Sequence, residues 1–122
     1  MDKWERKCKE LCHEIVMSVG HCEACGSTVN LEQHHGIFLS NQRLKLNPEL
    51  KYDPDLQFCL CADSHKYRPY SPHVDNDSFL QKMTDRGGHQ KYKAQKIIQT
   101  KQGELILKDP DYERIYLELK GE

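Results

Sequence analysis

The 122-residue sequence predicts a small α+β domain, with short strands and a set of metal-ligating side chains between helices at the two ends. Three observations lead there. Apolar residues recur at helical spacing near the start, the middle breaks into short apolar runs between Gly, Asn-Pro and Asp-Pro signals, and residues 79–102 return to a helical pattern. Hydrophobic residues make up 37% of the chain and charged ones 30%. A chain of this length buries only about two thirds of its unfolded surface, so the core is modest and a bound metal would help hold it.

Trp4, Cys8, Leu11, Cys12, Ile15, Val16 and Val19 mark one apolar stripe over about four turns, so residues 1–20 read as an amphipathic helix that ends at Gly20 and packs on the core. Cys8 and Cys12 lie on that stripe and read as core side chains, although they share a face on which a chelate is conceivable. Next comes a tight knuckle, Cys22-Glu-Ala-Cys25-Gly26-Ser27. A short strand through Val29 and Leu31 then leads toward His34-His35, and Gly36 to Leu39 reads as a second strand. Residues 41–54 read as loop, punctuated by Asn47-Pro48 and Asp53-Pro54. Leu56 to Cys61 is a short apolar run, and residues 62–67 open a helix with Asp63 or Ser64 near its start. Beyond the 69–72 proline break, Asp77 or Ser78 caps a helix from Phe79 to about Arg86, stopped by Gly87-Gly88. Residues 89–102 form another helix, and 111–120 a terminal element of open type. Residues 83–122 read as a helical extension of one compact domain.

The formal charge of −1 argues against a protein that coats nucleic acid by bulk electrostatics, but the charges are unevenly placed. Between residues 79 and 101 six bases (Lys82, Arg86, Lys91, Lys93, Lys96, Lys101) meet one acid, Asp85, whereas residues 104–122 carry six acids and three bases. The basic stretch is a candidate phosphate-facing surface, and a solvated helix face is the plain alternative. No apolar run approaches the roughly 18 residues that a membrane span needs, and the charged start does not resemble a secretory signal, so the expectation is a cytoplasmic protein without membrane attachment. In that setting six cysteines point to metal binding or buried thiols rather than disulfides.

The strongest signal is an order: Cys22-x-x-Cys25-Gly26, then Leu31-Glu32-x-His34-His35, then Cys61-x-x-x-His65, all within 44 residues. Each part alone is common, since a Cys-x-x-Cys pair serves redox and zinc sites alike. Together the residues resemble the HNH nuclease family, especially its short phage-type members, in which a zinc knuckle, a strand ending in His-His and a cysteine-histidine turn before a helix follow one another. The resemblance covers roughly residues 21–82. It implies a ββα-metal (treble-clef) core with flanking N- and C-terminal helices, and a metal-dependent DNA endonuclease.

Carried across by position, the resemblance makes His34 the first ligand of a catalytic divalent ion (Mg, Mn, Zn or Ni), His35 the general base, and His65 the closing ligand. His73, in Ser71-Pro72-His73 ahead of Phe79, corresponds to a further ligand, with a plain helix-entry contact as the alternative. These roles suit phosphodiester hydrolysis: a neutral imidazole accepts the proton of an attacking water, and a divalent cation acts as Lewis acid at the phosphate. Adjacent residues in a strand point to opposite sides, which separates the ligand from the base.

Two departures stand out. The family's middle Asn falls on Leu56, and Asp55 beside it is the candidate substitute for bracing His35. The second cysteine pair falls on Cys61 and Ser64, so a structural zinc with Cys22, Cys25 and Cys61 needs Cys59 as its fourth ligand; otherwise the zinc is lost and packing holds the fold. The implied partner is DNA, met by a monomer, by a homodimer or within a phage or host DNA-processing complex in the (host) cytoplasm. Arg43, Lys45 and Arg68 in loops and Lys82, Arg86, Lys91 and Lys93 in the basic stretch are the candidate phosphate contacts. A catalytically silent zinc-dependent nucleic-acid-binding module is the runner-up. A thiol redox protein using Cys22 and Cys25 lacks the βαβ context and leaves the histidines unexplained.

Overall fold

The first helix starts where Asp2 caps it, its carboxylate accepting from the backbone N–H of Trp4 at 2.6 Å and of Glu5 at 3.3 Å. The computed structural model describes residues 1–121. These hold α1 (Lys3–Met17), β1 (Leu31–His35), α2 (Gln42–Leu46), β2 (Gln57–Cys61), α3 (Ala62–Lys66), α4 (Asn76–Arg86), α5 (Gly88–Gln102) and α6 (Tyr112–Gly121), with two 3₁₀ turns, Pro48–Tyr52 and Pro54–Leu56, between α2 and β2. The architecture is α+β. Among the described residues no helix is long and apolar enough to cross a membrane.

β1 and β2 pair antiparallel, with His34 opposite Phe58 and His35 opposite Gln57, and the chain enters α3 directly after β2. All five residues of β2 are buried, because helices cover both faces of the sheet. On one face Phe58 and Leu60 meet Phe79, Met83, Ala94 and Ile97 of α4 and α5; the rings of Phe58 and Phe79 cross at 90° with centroids 5.2 Å apart. On the other face Cys59 joins Cys8, Cys12 and Val16 of α1, Tyr52, and Ile115 of α6. Cys8 and Cys12 are core residues: burial pushes their thiols up to about 11 and about 12, and the Cys8 thiol donates to the Tyr112 carbonyl at 3.1 Å.

Several sequence expectations shift. The second strand is Gln57–Cys61, and residues 36–39 form no strand: the Gly36 N–H donates to the Leu56 carbonyl at 2.8 Å and the chain then turns into α2. The stretch read as loop holds α2, capped by Asn41, and the 3₁₀ turns. The cap of α4 is Asp75, which accepts from the Ser78 N–H at 3.2 Å and hydroxyl at 2.7 Å. The expected break after residue 82 falls inside α4, whose Met83 is wholly buried. The terminal element is a helix, and it packs on α1.

Gly36 permits the closest approach in the fold. A Cβ there would lie 2.5 Å from the Leu56 carbonyl oxygen and closer still to Ile97 Cδ1. Backbone cannot give way as a side chain can, so Gly36→Ala is expected to cost about 1–3 kcal/mol by overpacking, read as a lower urea midpoint. An unchanged midpoint would show that β1 and α5 can separate freely.

Candidate metal centres

Two groups of ligand atoms converge, one on each side of α3. The first consists of His34 from β1, His65 from α3 and His73 from the turn before α4; one ring nitrogen of each lies within 4.8 Å of the other two. His34 Nδ1 is 3.2 Å from His65 Nε2, and His73 Nε2 is 3.1 Å from the same atom. Three polar nitrogens aimed at one point suit a shared cation, and an imidazole set favours Zn or Ni over the oxygen-seeking Mg.

Each ring is held by its own element. Strand alternation places Glu32 and His34 on one face of β1, and the Glu32 carboxylate accepts a hydrogen bond from His65 Nδ1–H at 2.7 Å. A carboxylate can only accept, so His65 is left with a bare Nε2 pointing at the other two rings. His73 stacks on Phe38 (5.1 Å, 19°), and its turn is pinned by the buried Ser71 hydroxyl, which donates to the Asp63 carbonyl at 3.0 Å and accepts from the Arg68 N–H at 2.8 Å. His34 is buried beside Phe79, its ring meeting that of Phe79 edge-on at 5.5 Å; its Nε2 has no partner.

Burial first, then the neighbouring charges of His65, His73 and His35, hold His34 down at about 2. His73 is lowered by burial, then by His65 and Lys66. Depressed values keep both imidazoles neutral and their lone pairs available at neutral pH. Glu32→Ala is expected to weaken metal binding at the three histidines by about 10–100-fold, measured by metal titration. Unchanged affinity would remove the carboxylate from the site.

His35 ends β1, half-buried, next to His34 but outside the group of converging nitrogens. Burial and then the His65 charge lower it, which keeps it neutral near pH 7. Asp55 does not brace it. That carboxylate is 3.4 Å from Lys96 Nζ, which also pairs with Asp53 at 3.0 Å. The short 3₁₀ turn at 54–56 aims Asp55 toward α5, while Leu56 fills the core.

The second group is Cys22, Cys25 and Cys61, whose sulfurs lie within 4.8 Å of one another, Cys25 and Cys61 being 3.6 Å apart. The knuckle closes through Cys22 N–H to Ser27 O (2.7 Å) and Gly26 N–H to Cys22 O (2.8 Å), with Gly26 at φ 85°. Ser64 hydrogen-bonds Cys25 and pulls its thiol down to about 7, against the opposing effect of burial. Cys59 is not in this group. It packs with Cys8, Cys12 and Val16 of α1, where burial and then Glu23 raise its thiol.

The expected phosphate contacts separate into free and committed cations. Lys93 is a correction: it is buried, its ammonium 2.9 Å from Glu23 and 2.7 Å from the Gln57 carbonyl. Arg43 donates to the carbonyls of Lys101 (2.6 Å) and Glu104 (3.3 Å), and Arg86 to that of Ala24 (2.6 and 3.1 Å). Lys82 lies over the Tyr70 ring at 4.4 Å, and Arg68 is a loose 3.8 Å from Asp63. Lys45 and Lys91 are exposed, and among the described residues neither makes an ion pair.

Sequence reasoning missed Glu32, Phe38, Glu23 and Ser64 as supporting residues. Glu32 had a usable signal, since it sits two residues before His34 and therefore on the same strand face. Phe38 and Glu23 had none, because their partners are far along the chain. No protein-family model, curated protein or solved structure matches this chain.

Proposed function

We propose that the chain is a metal-dependent DNA endonuclease of the HNH kind, hydrolysing phosphodiester bonds at a divalent ion held by His34, His65 and His73, with His35 as general base. The observation that carries this reading is the meeting of three imidazole nitrogens from three separate segments, one of them oriented by Glu32. The donor set fits a cation. His34 and His73 stay neutral, and a cation gives the His65 Nε2 lone pair a partner other than two crowding nitrogens.

When bound, such an ion supplies Lewis-acid charge at the scissile phosphate and at the departing oxygen. The chain's residues do the rest. The lowered basicity of His35 keeps its imidazole ready to take a proton from an attacking water, and Phe38 and Phe79 shield the ligand rings on their apolar side. The structural zinc of this reading belongs to Cys22, Cys25 and Cys61. Phosphate contacts fall to the freer cations Lys45, Lys91, Arg68 and Lys82, without the buried Lys93 and without Arg43 and Arg86, whose guanidinium groups are bound to backbone carbonyls.

Purified protein should nick or cut plasmid DNA with added Mn²⁺, Mg²⁺, Zn²⁺ or Ni²⁺, and stop with chelator. One observation favours the second reading, a catalytically silent nucleic-acid-binding module: Asp55 is engaged with Lys96, and among the described residues no carboxylate pairs with His35. Salt-sensitive DNA binding without cleavage under any of the four ions would establish that module instead.

A further inference from the structure

Zinc held by thiolates prefers four ligands in a tetrahedron, and structural sites are closed by four protein side chains. The knuckle offers three. Cys22 and Cys25 come from the turn before β1 and Cys61 from the end of β2, and no His, Asp or Glu joins them among the described residues. Cys59 packs with Cys8, Cys12 and Val16 of α1 and is not in the group. Beside the sulfurs stands Ser64, wholly buried, whose backbone N–H donates to Cys61 Sγ at 3.4 Å and whose hydroxyl bonds Tyr70 at 2.9 Å. A neutral hydroxyl already engaged with a phenol is a poor fourth ligand for zinc.

The three sulfurs are also not sealed off. Cys25 is exposed, and Cys25 and Cys61 form one wall of a cleft of about 390 Å³ whose other walls are Ser27, Asp63, Arg68 and Tyr70. Arg68, with 60% of its side chain exposed, stands at this cleft and can answer a negative charge brought into it. A site with three protein ligands and an open corner is how proteins make zinc accessible to an outside ligand.

We propose that Cys22, Cys25 and Cys61 hold zinc as a three-thiolate site whose fourth position opens to the Ser27–Arg68–Tyr70 cleft and takes an exchangeable ligand, a water that a small thiol can replace. The exchange is a ligand substitution: the incoming thiol gives its proton to solvent, its sulfur bonds the metal, and the water leaves, with no change of oxidation state. Ser64 and Arg68 offset part of the added negative charge. The inference rests on the zinc assignment made above for these sulfurs and is independent of the nuclease reading.

The test is cobalt substitution of the full chain, because sulfur-to-cobalt charge transfer counts thiolates and is blind to the histidine group. With one equivalent of Co²⁺ the wild type should show a three-thiolate spectrum. Adding 2-mercaptoethanol should raise the charge-transfer intensity by about one third, as three sulfur ligands become four, and shift the ligand-field bands. Ser64→Cys should show the four-thiolate spectrum from the outset and ignore added thiol. A wild type that already carries four thiolates, ignores added thiol and loses one in Cys59→Ala would overturn the open position while leaving the zinc assignment intact. No thiolate charge transfer at all would overturn both.

Discussion

Replacing His35 by alanine should lower DNA cleavage by about 10²–10⁴-fold, the usual range for loss of a general base, while DNA affinity and metal content stay close to wild type. The separation of effects follows from the strand. His35 ends β1 opposite Gln57 and is not one of the three converging rings, so its ring can be removed while all three ligand nitrogens stay in place. Its basicity is depressed by burial and then by His65, so a substantial neutral fraction is present near pH 7 without an ionised partner. Asp55→Ala gives the contrast. That carboxylate is partly exposed and pairs with Lys96, so its loss should change stability by under about 1 kcal/mol and leave cleavage within a few-fold. Full cleavage by His35→Ala would remove it as the base; a large loss on Asp55→Ala would restore the brace that the geometry lacks.

Lys93→Met should destabilise the fold by about 3–5 kcal/mol, a large share of the roughly 5–15 kcal/mol that holds a domain together. The Lys93 and Glu23 side chains are 6% and 3% exposed. The ammonium bridges Glu23 and the Gln57 carbonyl and lies 4.5 Å from the centre of the Phe58 ring. Glu23 in turn accepts from the Cys59 N–H at 2.8 Å, so the pair ties knuckle, β2 and α5 together. Without the ammonium, a buried carboxylate keeps a single backbone donor. Glu23→Gln combined with Lys93→Met should recover much of the loss, since a neutral amide still accepts from Cys59. Urea unfolding reads both. An unmoved midpoint in the single variant, with weaker DNA binding, would return Lys93 to a phosphate-facing surface.

The local elements were largely legible in the sequence, for local reasons. α1 showed through its apolar stripe and Gly20, α4 and α5 through their period and the Gly87-Gly88 break, and Cys8 and Cys12 through their place on that stripe. The second strand was misplaced because a short apolar run has no period to distinguish 36–39 from 57–61; only pairing with β1 chooses between them. His34, His65 and His73 were named from sequence, and the chain order of Cys and His drew attention to Cys22, Cys25 and Cys61.

What the sequence by itself determined is therefore the helices α1, α3, α4 and α5, the buried thiols of α1 and the identity of the side chains able to bind metal, all readable from spacing and residue chemistry. Tertiary structure alone decided which of those side chains meet. It joined His73 to His34 and His65, turned Cys59 away from the three sulfurs, paired Asp55 with Lys96 and buried Lys93 against Glu23. Each of those outcomes depends on segments distant in the chain closing on one another, and a charge or a thiol looks the same in a sequence whether its partner is water, a metal or the far side of the core.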